Sequence, residues 1–182
     1  MASEYWTLLY HPACPPQAIT AVTARIIERT ADWLRVRWRV EGSQHLVVPP
    51  FAGKGRADAL WQATCFELFL KPAGGSAYVE LNLSPSERWN AYDLAAYRWD
   101  MQERPFPREP ECTLRLGSSF AIFDAAIPVA GLPDTACEMG LAAVIEEQGG
   151  VKSYWALAHP DAQPDFHAPT CFATMLPAAG AR

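Results

Sequence analysis

Turn-forming residues recur along this sequence at intervals that leave little room for long helices. They stand between Pro12 and Pro16, at Glu41-Gly42-Ser43, Pro49-Pro50, Pro72-Ala73-Gly74-Gly75, Gly117-Ser118, Gly131-Leu132-Pro133-Asp134 and Gln148-Gly149-Gly150. The sixteen prolines and eleven glycines are spread over the whole chain, so they punctuate many short elements and mark no linker. The runs between them have strand length and strand composition, which predicts strands over 6–10, 20–28, 33–40, 46–48, 65–71, 77–84, 113–116, 120–127, 140–146, 153–159 and 171–176. With 182 residues and 50% hydrophobic content, the chain fills one core and is short for two. The expected architecture is a single all-β domain over 1–182, a two-sheet antiparallel β-sandwich of jelly-roll or immunoglobulin-like type. Residues 89–99 fit both helical and strand spacing, and strand is the expectation there.

Period-two alternation then sorts the side chains. In 78–84, Tyr78, Glu80, Asn82 and Ser84 share one face while Val79, Leu81 and Leu83 share the other, which must meet a core. In 65–70, Phe66, Leu68 and Leu70 separate from Cys65, Glu67 and Phe69. Two strands therefore present Glu67 and Glu80 on their less apolar faces. A carboxylate among apolar residues needs a partner, because burying it unpaired costs several kcal/mol. Around them the sequence places Trp61, Trp89, Tyr92, Tyr97, Trp99, Trp155, Asn82 and Arg98. Sugars are bound by such a set: rings stack on the pyranose face while carboxylates, amides and guanidinium groups take the hydroxyls. The structural alternative is that most of the seven tryptophans fill the core and Arg98 or an indole N–H satisfies the carboxylates.

Other chemistry is less well provided for. The run from His159 to His167, with Asp161 and Asp165, holds imidazoles and carboxylates that ligate metals, but its spacing matches no closed metal site. Its plainer reading is a proline-stiffened loop whose Asp165 and His167 bond neighbouring backbone, with the rim of a sugar pocket as a middle case. Paired glutamates also suit glycoside hydrolysis, yet these two lie in mid-strand and not on loops. Haem is an alternative ligand, with His159, His167, Met101 and Met139 as axial candidates, although no Cys-x-x-Cys-His is present. Residues 51–56 lack the pattern of a phosphate loop. A net charge of -5 provides no basic field for nucleic acid. The alternation of arginines in 35–39 has the period of a half-buried strand. The five cysteines are odd in number and widely spaced, which suits free thiols in a reducing cytoplasm. No secretory signal or membrane span is read from the sequence.

The blocks Arg56-Ala57-Asp58-Ala59-Leu60-Trp61, Thr64 to Leu70, Glu80 to Ser86, Trp89, Tyr92, Ala96-Tyr97-Arg98, Ser153 to His159 and Pro164 to His167 together resemble bacterial DOMON-like proteins related to type 9 carbohydrate-binding modules. The resemblance spans about 46–172 and implies a β-sandwich that binds a sugar or, in other branches, haem, without chemistry of its own. The carbohydrate-binding branch clamps a terminal sugar between two tryptophans, for which Trp61 and Trp155 are the candidates. Thr64 and Cys65 stand where related modules often carry acidic residues, so no calcium is expected from them. The expectation is thus a cytoplasmic, non-enzymatic protein that binds a small molecule, a saccharide, through Trp61, Glu67, Glu80, Asn82, Arg98, Trp155 and His167. It is expected to use no cofactor or metal and to engage neither nucleic acid nor membrane. A scaffold that docks a protein partner through its exposed aromatic residues is the further alternative.

Overall fold

The computed structural model describes residues 5–178. Its strands are β1 (Tyr5–Tyr10), β2 (Ala21–Arg29), β3 (Trp33–Glu41), β4 (Gly55–Arg56), β5 (Cys65–Pro72), β6 (Tyr78–Leu83), β7 (Arg88–Leu94), β8 (Gln102–Glu103), β9 (Glu111–Leu116), β10 (Phe120–Pro128), β11 (Cys137–Glu147), β12 (Val151–Ala156) and β13 (Thr174–Leu176), joined by loops and four short 3-10 turns among the described residues. No helix is long and apolar enough to cross a membrane among the described residues.

The expectation of a mostly β chain holds, whereas that of two separate antiparallel sheets needs correction. The strands form one continuous, curled sheet in the order β4-β7-β6-β5-β11-β12-β1-β2-β3-β10-β9, with β13 beside β11 and β8 beside β7. β1 is the seam: its first residues pair with β2, and Leu9 and Tyr10 pair with β12. The β4–β7 ladder is parallel, so the sheet is mixed. Residues 46–48 form no strand, and only Leu46 bridges to Glu147. The ambiguous 89–99 segment divides, with β7 ending at Leu94 and a tight turn closed by the Trp99 amide on the Ala96 carbonyl at 3.0 Å. The Ser86 and Ser84 hydroxyls bond each other at 2.8 Å ahead of β7.

The curl encloses the main core. Val22, Val36, Trp38, Val40 and Phe123 from one half meet Phe66, Leu68, Leu81, Leu83 and Leu141 from the other. Phe66 stacks on Phe123 at 4.3 Å between ring centroids and lies 5.6 Å from Trp38. Fully burying each such side chain contributes about 1.5–3 kcal/mol, so this seam is a principal source of stability. A second, smaller apolar cluster lies on the other face of β5, β6, β7, β11 and β12 and includes Phe69, Tyr78, Tyr92, Val144, Phe166 and Phe172. The middle strands are thereby covered on both faces, which is why β6 is buried along its whole length.

Two local devices fix the frame. The carboxylate of Glu147, itself 1% exposed, accepts backbone N–H groups from Gln17, Ala18 and Ile19 at 2.9, 2.5 and 3.1 Å, tying the β1–β2 connection to the end of β11. Gly42, at φ 83°, opens the turn after β3; a Cβ there would stand 2.2 Å from the Ala18 carbonyl oxygen.

Candidate functional site

Above the smaller cluster lies a cavity of about 790 Å³. Its floor is the outer face of the sheet: Glu67 on β5, Glu80 and Asn82 on β6, Tyr92 on β7, Val144 on β11 and Tyr154 on β12. Its walls come from Asp58 and Trp61 ahead of β5, Arg98 and Met101 after β7, and the 163–167 loop. The alternation read from the sequence places Glu80 and Asn82 on this floor, because Val79, Leu81 and Leu83 claim the core side. Glu67 sits opposite Asn82 in the β5–β6 register, and Glu80 is two residues along β6 on the same face.

These three side chains are almost wholly buried, at 3%, 5% and 2% exposure for Glu67, Glu80 and Asn82. The Asn82 amide donates to Glu80 Oε1 at 2.9 Å, while its Oδ1, a buried acceptor, has no partner among the described residues. Burial raises the Glu67 carboxyl well above the usual carboxylate range, and the neighbouring Glu80 raises it further. Burial also raises Glu80, opposed by the Asn82 hydrogen bond and by Arg98.

The wall is organised by Asp165. It accepts from Tyr97 Oη at 2.5 Å, from Arg98 Nη2 at 2.7 Å and from the His167 backbone N–H at 3.1 Å. Burial opposes its ionisation, yet the Tyr97 and Arg98 bonds hold it below the usual range. Arg98 adopts φ 50°, uncommon for a residue with a Cβ, and its backbone N–H reaches Tyr78 Oη at 3.2 Å. Tyr78 Oη in turn meets His167 Nδ1 at 2.6 Å. Burial, followed by the Arg98 charge, pushes His167 down to about 4, so its imidazole is neutral near pH 7. The Tyr78 phenol, itself raised by burial, then donates to Nδ1 and leaves the ring proton on Nε2, which lies 3.6 Å from Glu80 Oε2. On the opposite side Asp58 Oδ1 accepts from Tyr92 Oη at 2.5 Å and from Asn90 Nδ2 at 3.0 Å.

Six of the seven residues expected from the sequence therefore line one cavity: Trp61, Glu67, Glu80, Asn82, Arg98 and His167. Trp155 does not. It is 3% exposed within the main core, donates its indole N–H to Ser153 Oγ at 2.8 Å and packs on the edge of Tyr10. The alternation of β12 sends Ser153 and Trp155 inward and turns Tyr154 to the cavity, so Tyr154 supplies the aromatic surface that Trp155 was expected to give. Asp58, Tyr92, Tyr154, Phe166 and Met101 complete the lining. Asp58 could have been found from its place in the run leading to Trp61; Tyr154 carries no signal that distinguishes it from its neighbour. Of the axial-ligand candidates, His167 and Met101 reach the cavity, while Met139 is in the core and His159 donates from Nε2 to the Leu9 carbonyl at 2.8 Å. Among the described residues no group of three or more His, Cys, Asp or Glu side chains is placed to hold a metal ion.

No protein-family model matches the chain, and no curated protein matches it in sequence. Solved structures do match. One is a protein proposed to bind carbohydrate from Bacteroides uniformis ATCC 8492, with a TM-score of 0.63 at 16% identity, covering 93% of this chain and 84% of that one. Another is a family 9 carbohydrate-binding module from Caldicellulosiruptor kristjanssonii in complex with cellotriose, with a TM-score of 0.50 at 11% identity, covering 88% of this chain and 74% of that one. At such identities the likeness is one of fold: this chain is folded like these two proteins.

Proposed function

We propose that this protein is a non-catalytic saccharide-binding domain related to the DOMON-like and family 9 modules, and that the cavity above β5, β6 and β7 is its binding site. The observation that carries the reading is the buried, unpartnered Asn82 Oδ1 beside two buried carboxyls on the floor of a cavity also lined by Trp61, Tyr92 and Tyr154. Hydroxyl groups both donate and accept, so a polyhydroxylated ligand satisfies Asn82 Oδ1, the glutamates and the Arg98 guanidinium together. Trp61 is half exposed, at 51%, and offers its indole face at the mouth. The cavity volume falls within the range of about 300–1,000 Å³ usual for small-ligand sites. The fold neighbours, one of which holds cellotriose, support the same ligand class.

Titration calorimetry with glucose, cellobiose and cellotriose tests the reading. The expected result is a dissociation constant in the micromolar to millimolar range, weakened about tenfold or more in Trp61→Ala. Absence of heat with all three sugars at millimolar concentration would overturn it. Release of reducing ends from cellotriose on prolonged incubation would overturn the non-catalytic assignment.

A further inference from the structure

The cavity carries an imbalance of charge that hydroxyl groups alone do not remedy. Four acidic side chains line it, Asp58, Glu67, Glu80 and Asp165, against one guanidinium, that of Arg98. Arg98 is already committed to Asp165, through Nε at 3.2 Å and Nη2 at 2.7 Å. Asp58 has its own donors in Tyr92 and Asn90. His167, the remaining basic side chain, is neutral near pH 7. Glu67 and Glu80 are left as neighbouring carboxyls on adjacent strands, both nearly inaccessible to water and without a cation committed to them. A buried pair of this kind is relieved either by a proton or by a positive group from outside the chain.

The unpartnered Asn82 Oδ1 indicates which positive group fits. Asn82 is paired directly with Glu67 and lies two residues from Glu80 on the same face of β6, so the floor holds three acceptors side by side: two carboxyls and an amide oxygen. A primary ammonium has three donors and no acceptor, which matches that set, whereas a hydroxyl brings one donor and no charge. We infer that the preferred ligand is a saccharide bearing a free amine, an amino sugar, whose ammonium sits among Glu67, Glu80 and Asn82 Oδ1 while its ring meets Trp61. This assignment rests on the saccharide-binding reading and narrows it to one chemical class.

The test compares glucosamine, galactosamine and mannosamine with glucose, galactose and mannose, and with N-acetylglucosamine, by calorimetry at pH 6.5. At least one amino sugar is expected to bind about tenfold or more tightly than its neutral parent, with N-acetylglucosamine no tighter than glucose, since acetylation removes the charge and adds bulk. In Glu67→Gln, which keeps the shape and removes the group able to carry a negative charge beside the ammonium, the ratio between amine and parent is expected to collapse towards one. Equal affinity of every amine and its parent would overturn the inference and leave saccharide binding standing. No binding by any of these sugars would overturn both. A preference that persists in Glu67→Gln and Glu80→Gln would also overturn it, placing the amine elsewhere in the cavity.

Discussion

Two tryptophans illustrate how much a single residue's setting decides. Trp61 follows Ala59, which takes a left-handed φ of 57°, and sits half exposed in a 3-10 turn with no buried residue. Trp61→Ala is therefore expected to weaken ligand binding with little change in the denaturation midpoint. Trp155, packed in the core, is expected to cost about 3–5 kcal/mol on replacement by alanine, read from urea denaturation. His167 contributes a pH dependence of its own. Its imidazole falls from 6.5 in the free state to about 4 in the fold, so between these values the unfolded chain binds the proton more readily. The resulting stability is present above pH 6.5 and is lost as pH falls towards 4, amounting to at most roughly 3–4 kcal/mol at about 1.4 kcal/mol per pH unit. Glu67 and Glu80 act in the opposite sense, since their raised values favour the protonated fold and withdraw stability as pH rises. Comparing urea midpoints of the native protein and His167→Gln from pH 4 to 7 isolates the histidine: the variant should lose less stability on acidification.

At the scale of elements, β6 shows what a period-two pattern reveals. Its alternation specifies two faces, and the structure gives one to the main core and the other to the cavity floor, so the shared face of Glu80 and Asn82 was legible from sequence. In β12 the same period operates, but Tyr154 and Trp155 are both aromatic and adjacent, and sequence supplies no reason to turn one inward. The register against β11 decides, pairing Trp155 with Ala143, which lies in the main core. Glu147 is a second element-scale feature hidden in sequence, because its three partners lie about 130 residues away in the 17–19 segment. Glu147→Ala removes three charge-assisted bonds and leaves three amide donors unpaired, with an expected loss of about 3 kcal/mol or more in urea denaturation. Glu147→Gln, which keeps an acceptor oxygen, should lose less.

For the whole molecule, the continuity of the sheet through β1 has a consequence for unfolding. β1 is bonded to β2 on one side and β12 on the other, and the main core draws side chains from both halves. The halves are thus expected to unfold together: transitions followed by far-ultraviolet circular dichroism and by tryptophan fluorescence should coincide in urea. Separate midpoints would show that the seam does not couple them. The ladders that close the sheet join strands distant in sequence, such as β3 with β10, β5 with β11 and β1 with β12, so folding is expected on the millisecond to second scale in stopped-flow refolding.

The amino-acid sequence by itself determined the strand content, most of the turn positions and the in-or-out assignment of each side chain in β5 and β6, because these follow from turn chemistry and period two, which are local. Only the tertiary structure decided that β1 joins the strands into one curled sheet, that Tyr154 and not Trp155 faces the cavity, and that Arg98, Asp165, Tyr78 and His167 form one network beside Glu80. The reason is physical: which strands become neighbours, and which far-apart loops meet over them, depends on how the chain closes its core, and nothing in a local pattern records that closure.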